Sequence, residues 1–323
     1  QLTARTVTDD DGNAQMKLGG DIVDESFNAT SAVAGQDNAG IVTDGPVENA
    51  TVFVDENGNG ELDAGEPTAT SNENGLFQFN GVDTSGGDLV STGGTDTSTG
   101  RDITGNLEAP SGSNVVSPIT SVIQRVSAQT GVDTEEATAQ VKSALGISED
   151  IDPTQTAPSV VIGDSGSSDE EKDAAASLQS IQSQIASTVS LASGAASGAT
   201  GAEDDAGGAA VDAIAEAVAQ SARGGGADGG VDLSDPETVS SVVTSTVQTS
   251  AQQSGVQLDD ETVANTSNSV GQIAADINKR MQDAVGDSDD AASAVAEIVR
   301  NQTVGQGDAA DQVRDGSASG NLD

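Results

Sequence analysis

The hydrophobic period of the chain changes from two to between three and four along its 323 residues. In the first part, Thr51-Val52-Phe53-Val54 and Leu76-Phe77-Gln78-Phe79 read as strands, with Phe77 and Phe79 on one face and Gln78 on the other. All four phenylalanines, Phe27, Phe53, Phe77 and Phe79, lie in this part. Clusters of Asn, Gly, Asp and Ser at Asp11-Gly12-Asn13, 36–40, 72–75 and 85–87 punctuate the strands, as turns do in an antiparallel sandwich. From Pro118 the spacing becomes helical. Residues 118–129 and 134–145 form a helical pair broken at Gly131, with Asp133 as N-cap, Glu136 three residues on and Gly146 as C-cap.

Beyond a Pro, Ser, Gly and acid-rich linker, Ala-rich helices are predicted at 174–193 and 206–222, divided by the Gly/Ala/Ser tract 194–201. A second break falls at Gly224-Gly225-Gly226. Residues 235–254, 261–285 and 289–304 then carry apolar stripes such as Val239, Val242, Val243 and Val247. Two of these helices open on similar sequence, Gly230-Val231-Asp232-Leu233 and Gly255-Val256-Gln257-Leu258, with Ser234 or Asp235 and Asp259 as caps. The fold class expected is α+β and multidomain: an N-terminal antiparallel β-sandwich followed by an Ala/Val-rich helical region. The units are 1–115, the sandwich with an N-terminal strand segment; 116–150, the helical pair; 151–173, the linker; 174–304, a small-residue bundle; and 305–323, a tail weakly ordered alone. The segment 1–17 either starts the chain's own sandwich or adds a strand to a neighbouring subunit.

The helical half has no aromatic residue. At about 25 cal/mol per Å2, helices built on Ala, Val, Ile and Ser gain about half of what a Leu/Phe-lined helix gains from burial. Self-association would supply the remainder. The composition of 152–230 also fits a disordered segment.

Charge narrows the partners. With 53 acidic and 11 basic residues the net charge is -42, which excludes a nucleic-acid partner and repels anionic membranes. Between Lys17 and Arg101 fifteen carboxylates occur with no Lys or Arg, so the repulsion must be relieved by cations, whether bound divalent ions or a brine. Cys, His, Trp and Tyr are absent, which removes imidazole and thiolate chemistry, Cys/His zinc sites and disulfides. An enzyme is not expected. No apolar run reaches 18 residues, so no membrane span is encoded. Gln1 opens directly into polar, β-prone sequence, as a secreted chain does after loss of its leader.

The candidate chemistry lies in Asp-Glu-Asn-Gly-Asn-Gly-Glu-Leu-Asp-Ala-Gly-Glu, residues 55–66. A calcium ion takes six to eight oxygens, and this spacing offers Asp55, Asn57, Asn59 and Asp63 side chains, the Glu61 carbonyl and a bidentate Glu66 around a sharp turn at Gly60. The alternative is a surface turn that binds nothing, and the completeness of the spacing argues against it. The flanking period of two joins the loop to β-strands, unlike the helices of an EF-hand. Four Asn-x-Ser/Thr sequons, at Asn28, Asn49, Asn265 and Asn301, match chance frequency and do not indicate glycosylation.

Gly45-Pro46-Val47-Glu48-Asn49-Ala50-Thr51-Val52-Phe53-Val54-Asp55, with the loop and Asn74-Gly75-Leu76-Phe77-Gln78-Phe79, resembles the Cna-B and SdrD-B-like prealbumin-type modules of secreted surface proteins. The resemblance covers about residues 40–110 and implies an immunoglobulin-like sandwich, calcium at the loop and a structural or adhesive role outside the cell. The lysine that forms an isopeptide crosslink in some such modules has no counterpart between Lys17 and Lys142. Two functions are therefore expected. The first is a secreted, calcium-stabilised protein that self-assembles into an extracellular filament, sheath or matrix. The alternative is a calcium-dependent adhesin or binding module with a cell-surface or matrix partner.

Overall fold

A computed structural model of the protein describes residues 3–8, 14–19, 38–82, 84–202, 206–224 and 230–320. Phe27, Asn28, the turn at Asp11-Gly12-Asn13 and the break at Gly225-Gly226 lie outside the described residues. The N-terminal segment makes a hairpin of its own. Strand β1 (Thr3–Thr8) pairs antiparallel with β2 (Ala14–Gly19), from Thr3 opposite Gly19 to Thr8 opposite Ala14. Among the described residues, neither strand joins another sheet.

Three small sheets follow. The largest has the order β11 (Leu107–Ala109), β8 (Asp88–Thr92), β5 (Thr51–Asp55), β6 (Thr68–Thr70), every pair antiparallel. A second runs β10 (Arg101–Asp102), β9 (Thr95–Asp96), β4 (Val47–Glu48), also antiparallel. In the third, β3 (Asn38–Val42) pairs antiparallel with β7 (Leu76–Phe79) and parallel with β12 (Val115–Val116), a departure from the all-antiparallel expectation. The sheets share one core that includes Val42, Val52, Phe77, Phe79, Leu89, Leu107 and Val116. Phe77 and Phe79 point to the same side, as the alternation predicts, and meet edge to face with ring centres 5.7 Å apart.

The rest of the described chain is mostly helical: α1 (Pro118–Thr130), α2 (Thr134–Leu145), α3 (Pro158–Gly163), α4 (Asp169–Thr200), α5 (Ala206–Arg223), α6 (Pro236–Ser254), α7 (Asp260–Asp287), α8 (Ala291–Val304) and α9 (Ala310–Ser319). A π-helical turn, Gly305–Ala309, separates the last two. Capping follows the sequence closely. Asp133, Asp235, Asp259 and Asp290 each accept an N–H of the first turn, while Ser168 and Glu171 form a reciprocal box. Gly131, Gly146 and Gly255 close their helices in the left-handed region.

Helix α4 is the axis of this part, and α1, α3, α5, α6, α7, α8 and α9 all pack on it. Its Gly/Ala/Ser tract extends the helix where a break was expected. The reason is close approach: a Cβ on Gly194 would sit 2.8 Å from the Ala310 carbonyl oxygen, and one on Gly198 would collide with that of Arg314. Small residues here bring the backbone of α9 onto α4. Residues 310–319, within the expected tail, are that helix. The expected linker contains α3 and the start of α4, and Ile119, Ile123 and Val126 of α1 share one core with Leu178, Ile214 and Met281. The helices thus bury apolar faces against one another within the chain.

Candidate metal centre

The loop of residues 55–66 leaves the end of β5 and returns as β6, so it joins two antiparallel strands, with Phe53 opposite Thr68. Asp55, the last residue of β5, is 5% exposed, and its carboxylate organises the turn that follows. Its Oδ1 accepts from the N–H groups of Gly58 (2.7 Å) and Asn59 (3.2 Å), and its Oδ2 from that of Gly60 (2.7 Å). This wrapping needs left-handed backbone at Gly58 (φ 75°) and Gly60 (φ 74°), which is why glycine occupies both positions. Glu66 closes the loop from the other end: Oε1 accepts from Glu56 N at 3.1 Å and Oε2 from Asp63 N at 2.8 Å. Between them, Asp63 Oδ2 accepts from Asn57 Nδ2 (2.6 Å) and Asn59 Nδ2 (2.9 Å).

The structure therefore brings Asp55, Asn57, Asn59, Asp63 and Glu66 into one hydrogen-bonded loop. Glu61 donates its backbone N–H to Asn59 Oδ1 at 2.8 Å, within the same turn. Among the described residues, no three Asp, Glu, His or Cys side chains are grouped so that they could hold a metal ion. Asp55, Asp63 and Glu66 are each occupied by N–H donors, with the two asparagines between them. The donor chemistry nonetheless fits a hard cation: carboxylates, amide carbonyls and a main-chain carbonyl, all oxygen. The amide oxygens of Asn57 and Asn59 themselves accept, from Asn59 N at 3.0 Å and Glu61 N at 2.8 Å.

The sequence did not mark the groups that buttress this loop. Asp88 stands opposite Asp55 across the β5–β8 ladder, and a Cβ on the preceding Gly87 would collide with the Asp55 carbonyl. Burial raises the Asp88 carboxyl above its ordinary value and the Asp55 charge adds to this, while hydrogen bonds from Ser111 N (2.9 Å) and Gln124 Nε2 (2.5 Å) oppose it. Asn106 Nδ2 donates to the Gly60 carbonyl at 3.0 Å and ties the loop tip to the β10–β11 connection. No sequence signal announces Asp88 or Asn106, because each acts through a strand pairing or a distant loop.

Beyond Asn106 lies a polar cleft of about 760 Å3 between the sheets and the helices. Asn59, Gly60 and Glu61 form part of one wall; Arg125, Ser190 and Arg314 lie among the helical groups. Arg125 of α1 holds Glu108 of β11 at 2.6 Å and Asp212 of α5 at 3.4 Å, joining the two parts of the chain at the rim. Burial pushes the Glu108 carboxyl up, against the pull of Arg125. Comparisons of this chain with known protein families, with curated proteins and with solved structures give no match.

Proposed function

We propose that the protein is a calcium-stabilised structural protein of the cell exterior, secreted and self-assembling into a filament, sheath or matrix. The observation that carries this reading is the loop of residues 55–66, whose Asp55, Asn57, Asn59, Asp63 and Glu66 share one hydrogen-bonded turn after β5. The three small sheets around one core suit a prealbumin-type, immunoglobulin-like sandwich with this loop at its edge.

Asp55, Asn57, Asn59 and Asp63 would bind the ion through side chains, Glu61 through its carbonyl and Glu66 through both carboxylate oxygens. The ion supplies positive charge where Asp55, Glu56, Glu61, Asp63 and Glu66 crowd five carboxylates into twelve residues. The protein's part is to hold those oxygens ready, through the three N–H groups on Asp55 and the two on Glu66. The net charge of -42 suits the same setting, where divalent ions or brine are abundant.

Thermal melting with chelator and with added calcium at constant ionic strength tests the loop, and an unchanged midpoint overturns it. Negative-stain images tests assembly separately: ordered polymers support it, and monomers at every calcium concentration refute it. The polar cleft beside the loop tip favours a second reading, a calcium-dependent adhesin. A monomer that binds glycans or cells only with calcium would establish that alternative.

A further inference from the structure

The tight turn between β3 and β4 is closed by a bridge between Thr43 and Pro46, and its tip is Asp44. A turn tip usually faces water, but Asp44 is only 3% exposed because it is driven into the helical part. Three segments receive it. Its main-chain carbonyl accepts from Gln179 Nε2 of α4 at 2.9 Å, Oδ1 from Gln302 Nε2 of α8 at 2.8 Å, and Oδ2 from Gln306 Nε2 of the π-turn at 2.5 Å.

The two carboxylate partners are not equivalent. Gln179 Nε2 also donates to Ser183 Oγ at 3.2 Å, which commits the serine hydroxyl proton to Gln302 Oε1 at 2.8 Å. That chain fixes the Gln302 amide with its nitrogen toward Asp44. Gln306 makes no other side-chain hydrogen bond among the described residues, so its amide can turn. Among the described residues no cation balances the carboxylate: α4, α8 and the π-turn meet the turn with neutral amides. Asp96 of β9, itself buried and held by Ser98 N and Thr99 Oγ1, adds repulsion. Arg101 of β10 is paired with Asp308 at 3.4 Å. Burial first, and Asp96 second, push the Asp44 carboxyl up to about 8, against the two glutamine hydrogen bonds.

We propose that this turn is a proton-operated latch between the sheets and the helical bundle, in which Asp44 is held neutral and the Gln306 amide reads its state. With the proton bound, Oδ1 still accepts from Gln302, so the O–H sits on Oδ2 and needs an acceptor. A half turn of the Gln306 amide supplies Oε1. When the proton leaves, the amide turns back to donate, and a buried charge remains beside Asp96. The π-turn that carries Gln306 also lines the polar cleft, so the latch acts on the cleft wall.

The experiment is an NMR titration of the Gln302 and Gln306 side-chain amides between about pH 5 and 9, in strong salt with chelator, alongside unfolding of wild type and Asp44→Asn. The variant places an oxygen toward Gln302 and an N–H toward Gln306, as the protonated acid does. In wild type, Gln306 is expected to show one inflection larger than that of Gln302, and in the variant none. The wild-type unfolding constant is expected to gain roughly tenfold per pH unit on that of the variant until the carboxyl has ionised. A Gln306 resonance without an inflection, or parallel stability profiles, overturns the latch. Should Asp44→Asn fail to fold, the wild-type titration decides alone: the Gln306 inflection supports the latch, and its absence refutes it.

Discussion

Asp55 organises the turn and, on the proposed function, also binds the ion, and substitutions can separate the two roles. As the hub of the turn it satisfies the N–H groups of Gly58, Asn59 and Gly60 whether or not an ion is present. Asp55→Ala leaves Gly58 and Gly60 without that acceptor, while Asn59 N keeps Asn57 Oδ1 at 3.0 Å, and is expected to cost about 1–3 kcal/mol even in chelator. Glu66→Gln keeps an oxygen for one N–H but loses the bidentate charge. It is expected to melt close to wild type in chelator and to lose most of the rise produced by calcium; equal calcium responses in variant and wild type would remove Glu66 from the site. The proposed ligand residues could be picked out because their spacing lies within one loop. Asp88 and Asn106 were not, since Asp88 acts through a strand partner and Asn106 reaches Gly60 from 46 positions away. Asp44 carries no signal of its own in the sequence, because nothing near it announces Gln302 and Gln306.

Helix α4 is where composition misleads. Glycine and serine between 194 and 201 read as a break on propensity alone, yet Gly194 and Gly198 are the contact surface for α9. Alanine at an interior helical glycine ordinarily gains about 1 kcal/mol. At Gly198 the added methyl meets the Arg314 backbone, and overpacking of that kind costs about 1–3 kcal/mol, so Gly198→Ala is expected to lower the thermal midpoint. Gly286 of α7 has open space at the same position and serves as the control, expected to rise on substitution by alanine. Two midpoints moving in the same direction would mean that α9 does not need this close approach. The strands at 51–54 and 76–79 and the caps Asp133, Asp235 and Asp259, by contrast, were readable, because a period of two and an aspartate three residues before its N–H are local signals; the short strands between Asp88 and Val116 carry no such period.

For the whole molecule, charge sets the conditions under which the fold holds. A net charge of -42 is screened over about 10 Å at 0.1 M salt and about 3 Å at 1 M, so the midpoint is expected to rise with monovalent salt. Calcium should add a further rise at constant ionic strength; full rescue of a chelated sample by monovalent salt would assign the effect to screening alone. The pH dependence has two opposed sources. Asp44, Asp88, Asp96 and Glu108 are raised on folding, so their stabilisation is complete at low pH and is lost as pH rises through their folded values. The caps Asp235, Asp259 and Asp290 are lowered, so theirs is present above the ordinary aspartate value and is lost as pH falls. In salt with chelator, the midpoint is expected to peak between about pH 4 and 6; a midpoint still climbing at pH about 8 would contradict these buried acids. The Asp44 turn also dictates an order of events. Its partners Gln302 and Gln306 lie 258 and 262 residues further along, so a chain emerging N-terminus first must hold that acid in water until almost all of it has followed. Until then, the β3–β4 turn can meet only Gln179 of α4, and a nascent chain halted before residue 302 should leave the Asp44 carboxylate without both of its amide donors and open to solvent.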